Sequence, residues 1–274
     1  MPTVVPFIDL SVKRSGQGVI WVNSSHENCR YIREAEKSAR TVKRFLDNAS
    51  FILASDRLHE DLDPVFNFQT SVQFHVPEPL KDKIHFNGQM VAKLSVLKHM
   101  TWEKNLYLGS DVVALRPGVE DILQLLNHFD IVVAHAPFRI NTSAGGDEKL
   151  RTLPDCFPEM NCDLIAYNRS DYMGTFLAEW ERIYSNNLIN HGHDQGAFRY
   201  LLLHSQIRLY ILPPEYNYRG YEFSPNIVNL QRREAIPLYA KHFPHIADIY
   251  GKKGLSQNLL NILRLKYLRR GQTP

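Results

Sequence analysis

Short apolar runs alternate with amphipathic stretches along most of the chain. The first run, Val19-Ile20-Trp21-Val22, is β-branched and aromatic and stops at the polar Asn23-Ser24-Ser25, which predicts a buried strand. A helix is expected next, capped by Ser24 with Glu27 three residues on as a capping box. Tyr31, Ala35, Ala39, Val42 and Leu46 then mark one apolar stripe as far as the breaker Asp47-Asn48. Phe51-Ile52-Leu53-Ala54 resumes as strand and ends at Ser55-Asp56. Strand, helix and strand at this spacing imply parallel pairing through a right-handed crossover.

The pattern then repeats. Gln89 to Met100 reads as a helix with Leu94 and Leu97 inward, and Asn105-Leu106-Tyr107-Leu108 as a third strand stopping at Gly109-Ser110-Asp111. Val119 to Phe129 is a further helix and Ile131-Val132-Val133-Ala134 a further buried strand. Phe138 to Pro158 carries Gly, Pro and Asp and makes a loop of roughly 20 residues, long enough to suggest a lid or an acceptor loop. Leu164 to Tyr167 is a strand, and Met173, Phe176, Leu177, Trp180 and Ile183 form a helical stripe. Asp194 to His204 is helical, and Ile207 to Leu212 is a strand closed by Pro213-Pro214. The expected architecture is α/β, a Rossmann-like, mostly parallel mixed sheet flanked by helices, in one domain spanning 1–274. In such a sheet, ligands belong at the carboxyl strand ends, where Asn23, Ser24, Ser25 and Asp56 lie. Residues 255–270 pair Leu259, Leu260, Leu263 and Tyr267 with Lys266, Arg269 and Arg270. This is a basic amphipathic helix, suited to packing on the body or to peripheral contact with an anionic membrane surface.

Composition narrows the function classes. In 274 residues, 44% are apolar and 22% charged, which excludes a disordered or coiled-coil chain. Thirty-two Lys and Arg against 29 Asp and Glu give a balance too mild for a nucleic-acid binder and leave anionic small ligands open. The three cysteines form no CxxC pair, so neither a zinc ribbon nor a disulfide framework is suggested, and a cytoplasmic setting is expected, peripheral to the inner membrane surface at most. Nothing reaches the about 18 apolar residues of a membrane span. The chain lacks a Walker A sequence, Gly-x-Gly-x-x-Gly and Gly-x-Ser-x-Gly, which sets aside P-loop kinases, dinucleotide dehydrogenases and α/β-hydrolases.

Four places carry candidate chemistry. Asp111 follows a strand beside Gly109 and Ser110, where small residues let one carboxylate approach a ligand or metal; a strand-ending turn explains the triplet equally well. Asn161 and Asp163 stand at the entrance of an apolar strand, positioned for sugar hydroxyls or for bonding local amides. Asp194 and Gln195 open a helix, where Asp194 is a cap or, with Gln195, faces a reacting carbon. His191 and His193 have the wrong spacing for helical zinc. Lys241-His242-Phe243, with Arg219 upstream, would suit a phosphate–metal end if His242 partners Asp111; a lone histidine is more often a satisfied surface or core residue.

In order and spacing these segments resemble a GT-A glycosyltransferase of the nucleotide-diphospho-sugar transferase superfamily, the group of glycogenin-like and lipopolysaccharide galactosyltransferase-like enzymes. The resemblance covers roughly residues 18–245 and rests on quoted motifs. Tyr107-Leu108-Gly109-Ser110-Asp111 stands for YLDxD, and Met160-Asn161-Cys162-Asp163-Leu164 for FNxGV. Asp194-Gln195 matches the DQ pair, Leu212 to Asn217 the LPPEYN segment, and His242-Phe243 the late HF. The resemblance implies a hexosyltransferase-like enzyme moving a sugar from a nucleotide-diphosphate donor, UDP-sugar favoured, to a glycan, lipid-linked or protein hydroxyl. Donor contacts are implied for Val22, Asn23, Ser24, Arg40 of Ser38-Ala39-Arg40, Asp56, Lys93, Gly109, Ser110 and Asn161, and Mn²⁺ or Mg²⁺ ligation for Asp111 and His242.

Two positions depart from the pattern: the first Asp of D-x-D is Gly109, and the glycine of FNxGV is Asp163. With one anionic ligand missing, metal binding is expected to be weak, and Lys241, Arg219 or Lys93 to neutralise the leaving diphosphate. Similarity to retaining families sets Asp194, Gln195 and Asp163 around the anomeric carbon; in an inverting reaction Asp163 would be the base. Gly109 also raises an alternative, a degenerate domain that binds nucleotide or glycan without catalysis. A sugar nucleotidyltransferase is disfavoured because Asn23-Ser24-Ser25-His26 is not a glycine-rich nucleotide loop.

Overall fold

The computed structural model describes residues 4–81, 87–136, 148–186, 188–189, 194–218, 229–230, 240 and 243–250. Its frame is built from β1 (Gln17–Val22), α1 (His26–Lys43), β2 (Ser50–Ser55), β3 (Phe68–Ser71), α2 (Asn87–Leu97), β4 (Lys104–Leu108) and β5 (Val113–Ala114). These are followed by α3 (Val119–Leu125), β6 (Ile131–His135), α4 (Glu148–Arg151), β7 (Met160–Asn168), α5 (Asp171–Ser185), α6 (Asp194–His204), β8 (Leu209–Leu212) and β9 (Asn229–Leu230).

Seven strands form one sheet in the order β3-β2-β1-β4-β7-β6-β8, and β5 pairs with β9 apart from it. Strands β1 to β4 are mutually parallel where they pair, and β6 and β8 are parallel to each other. Strand β7 runs antiparallel to both β4 and β6. The apolar runs are buried on both faces, as continuous hydrophobic strands require. Along β1, Val19 and Trp21 pack with α1 and α3 residues such as Ile32, Val42 and Ile122, whereas Ile20 and Val22 pack with Leu94, Leu97, Trp180 and Phe198 on the other side. Period-2 alternation thus divides one sheet between two cores.

Several boundaries differ from the sequence reading. The N-cap of α1 is Ser25, not Ser24. The Ser25 hydroxyl donates to Asp56 Oδ2 at 2.7 Å and its backbone N–H to Oδ1 at 2.7 Å, so the capping side chain serves the neighbouring strand end instead of its own helix. Ile32, with Ala35, Ala39, Val42 and Leu46, forms the buried stripe of α1, and Tyr31 turns out of the core. Strands β3, β5 and β9 are not among those the apolar runs predict. Helix α3 stops at Leu125, and β7 extends back to Met160. Within the expected 138–158 loop, α4 is a single turn, and the rest of that loop before Glu148 lies outside the described residues, as does the 255–270 tail. Among the described residues no helix is long and apolar enough to cross a membrane.

Gly18 is fixed by contact. A Cβ there would fall 2.5 Å from two ring carbons of Trp102, which is 2% exposed. We therefore expect Gly18→Ala to lower stability by about 1–3 kcal/mol in urea denaturation, and an unchanged midpoint would show that Trp102 has room to move.

Candidate active site

The site begins with strand direction. β1 and β4 lie side by side in parallel with Ile20 opposite Tyr107, so both release their following residues at the same edge: Asn23-Ser24 from one, Gly109-Ser110-Asp111 from the other. Strand β7 enters where β4 leaves, with Leu108 opposite Leu164, which brings Asp163 against Gly109. The Gly109 N–H donates to the Asp163 carbonyl at 2.8 Å, and Asn161 Oδ1 accepts from the Asp163 N–H at 2.8 Å. Asn161 is fully buried and shapes this corner from within.

A crevice of about 590 Å³ opens at this edge, within the range of small-molecule sites. Its polar wall is Asn23, Ser24, Ser110, Asp111 and Asp163, and its apolar wall includes Tyr31, Phe74, Val76 and Tyr107. Asn23 lines the crevice and is 5% exposed; its Nδ2 is buried and has no hydrogen-bond partner among the described residues. Such a group costs free energy until an acceptor arrives. Gln89, also lining the crevice, donates to the Val22 carbonyl and holds α2 against the end of β1.

Beneath the crevice, Lys93 of α2 and Asp194 at the start of α6 form a buried ion pair, their side chains 2% and 8% exposed. Lys93 Nζ also donates to the Cys162 carbonyl at 3.3 Å and lies over the rings of Tyr107 at 5.4 Å and Trp180 at 5.6 Å. Burial alone would lower the Lys93 pKa, but the Asp194 carboxylate, aided by Tyr107, Cys162 and Asp163, holds it well above the ordinary lysine value. The Asp194 carbonyl accepts from Trp180 Nε1 at 3.1 Å. Position 194 is therefore a structural tie among α2, α5 and α6, adjacent to the crevice and not on its wall. Gln195 follows it half-buried on the first turn of α6.

The expected site residues thus divide. Asn23, Ser24, Gly109, Ser110, Asp111 and Asp163 share the crevice, while Val22, Asn161, Lys93 and Asp194 support it from behind. Arg40 is not brought to it: the helical phase of α1 turns its guanidinium onto Asp63, in a separate surface hollow. Asp56 holds Ser25, the cap of α1. Arg219, Lys241 and His242 lie outside the described residues, and Phe243 is buried with Arg116 at 5.5 Å from its ring. The sequence reading missed Tyr31, Gln89 and the segment carrying Phe74 and Val76; the alternation Val72-Gln73-Phe74-His75-Val76 was the available signal for the last. Among the described residues no group of three or more His, Cys, Asp or Glu side chains converges as a metal cage. The two carboxylates that flank Gly109 are hard oxygen donors of the kind a divalent cation shares with substrate phosphates.

In sequence comparisons, no family model and no curated protein matches the chain. Solved structures do. The galactosyltransferase LgtC, solved with donor and acceptor sugar analogues, superposes with a TM-score of 0.57 at 14% identity, over 84% of this chain and 95% of that one. Mouse xyloside xylosyltransferase 1 gives 0.54 at 11% identity over 79% and 98%, and the glycosyltransferase GlyE of Streptococcus pneumoniae TIGR4 gives 0.52 at 15% over 78% and 54%. The chain has the GT-A glycosyltransferase-like fold, an α/β architecture on a mixed, mostly parallel sheet.

Two measurements follow from the floor of the site. Asp194→Ala leaves Lys93 buried without its counter-ion, so it should cost about 3–5 kcal/mol in chemical denaturation, while a Lys93→Met, Asp194→Leu double variant should recover most of the loss. A single variant as stable as the parent would show that the pair is solvated. Glu159 is 4% exposed, and burial, opposed by Arg199 and reinforced by Asp194, pushes its carboxyl up to about 7. A carboxyl raised in the folded state binds its proton more tightly folded than unfolded. Stability should therefore fall as pH climbs from about 4.5 to about 7. Glu159→Gln should flatten that fall and be the more stable protein at pH 8 by about 2 kcal/mol; parallel melting profiles at pH 5 and 8 would contradict the shift.

Proposed function

We propose that this protein is a glycosyltransferase that moves a sugar from a nucleotide-diphosphate donor, with UDP-sugars favoured, to a hydroxyl of a glycan acceptor, with retention at the anomeric carbon. The observation that carries this reading is the crevice itself. Two carboxylates, a buried Asn23 amide without a partner among the described residues and an apolar aromatic wall meet at the carboxyl edge of β1 and β4, in a fold whose solved counterparts are glycosyltransferases.

The division of labour follows from the walls. The Asn23 Nδ2 donor and the aromatic face of Tyr31 suit a nucleoside, with the base laid on a ring and a carbonyl oxygen accepting from the amide. Asp111 and Asp163 are assigned to the diphosphate side, where their negative charge needs a cation between them and the phosphates. A divalent cation, Mn²⁺ or Mg²⁺, would be held by Asp111 with the expected His242 and would supply charge neutralisation for the leaving nucleotide. Gln195, at the start of α6, and Asp163 are assigned to the sugar. Asp194 orients that helix through Lys93 and is a positioning residue. The chain retains an enzyme's polar edge despite Gly109, which favours catalysis over binding alone.

Donor binding is the direct test. UDP-, GDP- and dTDP-sugars are added to the full chain with and without Mn²⁺, and melting is followed; at a hundredfold excess over Kd a ligand of the native state adds about 2.7 kcal/mol. We expect a UDP-sugar with Mn²⁺ to raise the melting temperature most. Asn23→Ala, which removes an unsatisfied donor, should leave the free protein's melting temperature unchanged or raised and weaken nucleotide-sugar binding roughly tenfold. No shift with any nucleotide sugar, or full affinity in the Asn23 variant, would overturn the reading.

A further inference from the structure

We propose that Asp163, reaching in from β7, supplies the carboxylate that position 109 lacks, so that the cation is gripped by Asp163 of that strand and Asp111 of the turn after β4 instead of by two residues of one turn. The proposal rests on the donor-binding reading above only in that a nucleotide diphosphate completes the cation's shell.

Three observations carry it. A Cβ built on Gly109 would stand 3.1 Å from the Asp163 Cβ, 3.3 Å from its carboxyl carbon and 3.4 Å from Asp111 Oδ1, so both carboxylates border the space that a side chain at 109 would fill. The backbone does not explain the glycine: among the described glycines, positive φ occurs at Gly16 and Gly118, not at Gly109. A Cβ at position 109 would crowd Asp163, which would have to give by a few tenths of an ångström. The third observation is independent of the acids. Asn23, nine-tenths buried, lines the same crevice, and its buried amide has no partner among the described residues, an unmet donor beside the place where acceptor oxygens would bind. The antiparallel register makes the exchange possible, because Leu108 opposite Leu164 sets the next residue of β4 against the preceding residue of β7. The two departures from the family pattern, Gly109 and Asp163, are then one compensated change.

The test measures Mn²⁺ binding to the full chain by titration calorimetry and electron paramagnetic resonance, in the presence of UDP. Asp163→Asn should weaken Mn²⁺ roughly tenfold or more, as loss of a charged ligand does. Gly109→Asp alone should not tighten it, because the new side chain meets Asp163. The exchange variant Gly109→Asp with Asp163→Gly should return Mn²⁺ affinity to within about threefold of the parent. Asp163→Asn binding Mn²⁺ like the parent, a parent that binds UDP but no Mn²⁺, or tighter binding by Gly109→Asp alone would each overturn the proposal. If an exchange variant fails to fold by circular dichroism, Asp163→Asn alone decides. Failure of the underlying reading is distinguishable: there the parent binds neither UDP nor a UDP-sugar at any cation concentration, whereas failure of this proposal leaves UDP binding intact and Mn²⁺ indifferent to Asp163.

Discussion

Strand β7 lies between two groups of parallel strands and runs against both, and the composition of the crevice follows from that reversal. A parallel strand at the same place would have delivered its own carboxyl end to the edge, and with it a turn. An antiparallel one delivers its beginning, so Asn161 and Asp163 arrive where Gly109 and Asp111 leave. The register has little freedom. Both faces of β4 and β7 are buried, and a slip of one residue would exchange Leu164 and Ile165 between the two cores. The buried strand pair therefore fixes the relation of the two carboxylates before any ligand binds.

The floor under this edge is held differently. Hydrophobic packing brings α2, α5 and α6 onto one face of the sheet, and charged contacts tie them: the buried Lys93 with Asp194, closed over by Tyr107 and Trp180, and nearer the surface Lys98 with Glu181 at 2.7 Å. Burying two charges is costly and is repaid only when each is matched; here the ammonium also has the Cys162 carbonyl. Because Asp194 begins α6, the same contact sets where the half-buried Gln195 stands relative to the crevice. Binding geometry and stability are coupled at this point, and for that reason loss of activity on changing Asp194 would not by itself reveal a chemical role.

The sequence carried the strands and long helices plainly, because each is either a continuous apolar run or a 3.6-residue stripe. Strand β3 escaped notice because Phe68-Gln69-Thr70-Ser71 has no apolar run: Gln69 is buried through its amide, which donates to the carbonyls of Val5 and His59 and accepts from the His59 N–H. Arg40 is not brought to the crevice because a short motif says nothing of helical phase, and one step beyond the buried Ala39 it faces Asp63. Candidate residues on strand ends were legible, since polar residues after apolar runs mark the carboxyl edge. Pairings across the sheet were not. Lys93 and Asp194 are 101 residues apart, and nothing local to either names the other. Gly109 and Asp163 likewise read as two separate defects until the register set one against the other.

The most direct measurement is a crystal structure of the full chain grown with UDP and Mn²⁺, with anomalous scattering used to locate the metal. The nucleotide should lie against Asn23 and Tyr31, with its diphosphate and one anomalous peak flanked by the carboxylates of Asp111 and Asp163. A nucleotide bound elsewhere, or a manganese peak in contact with Asp111 while Asp163 points away, would contradict it.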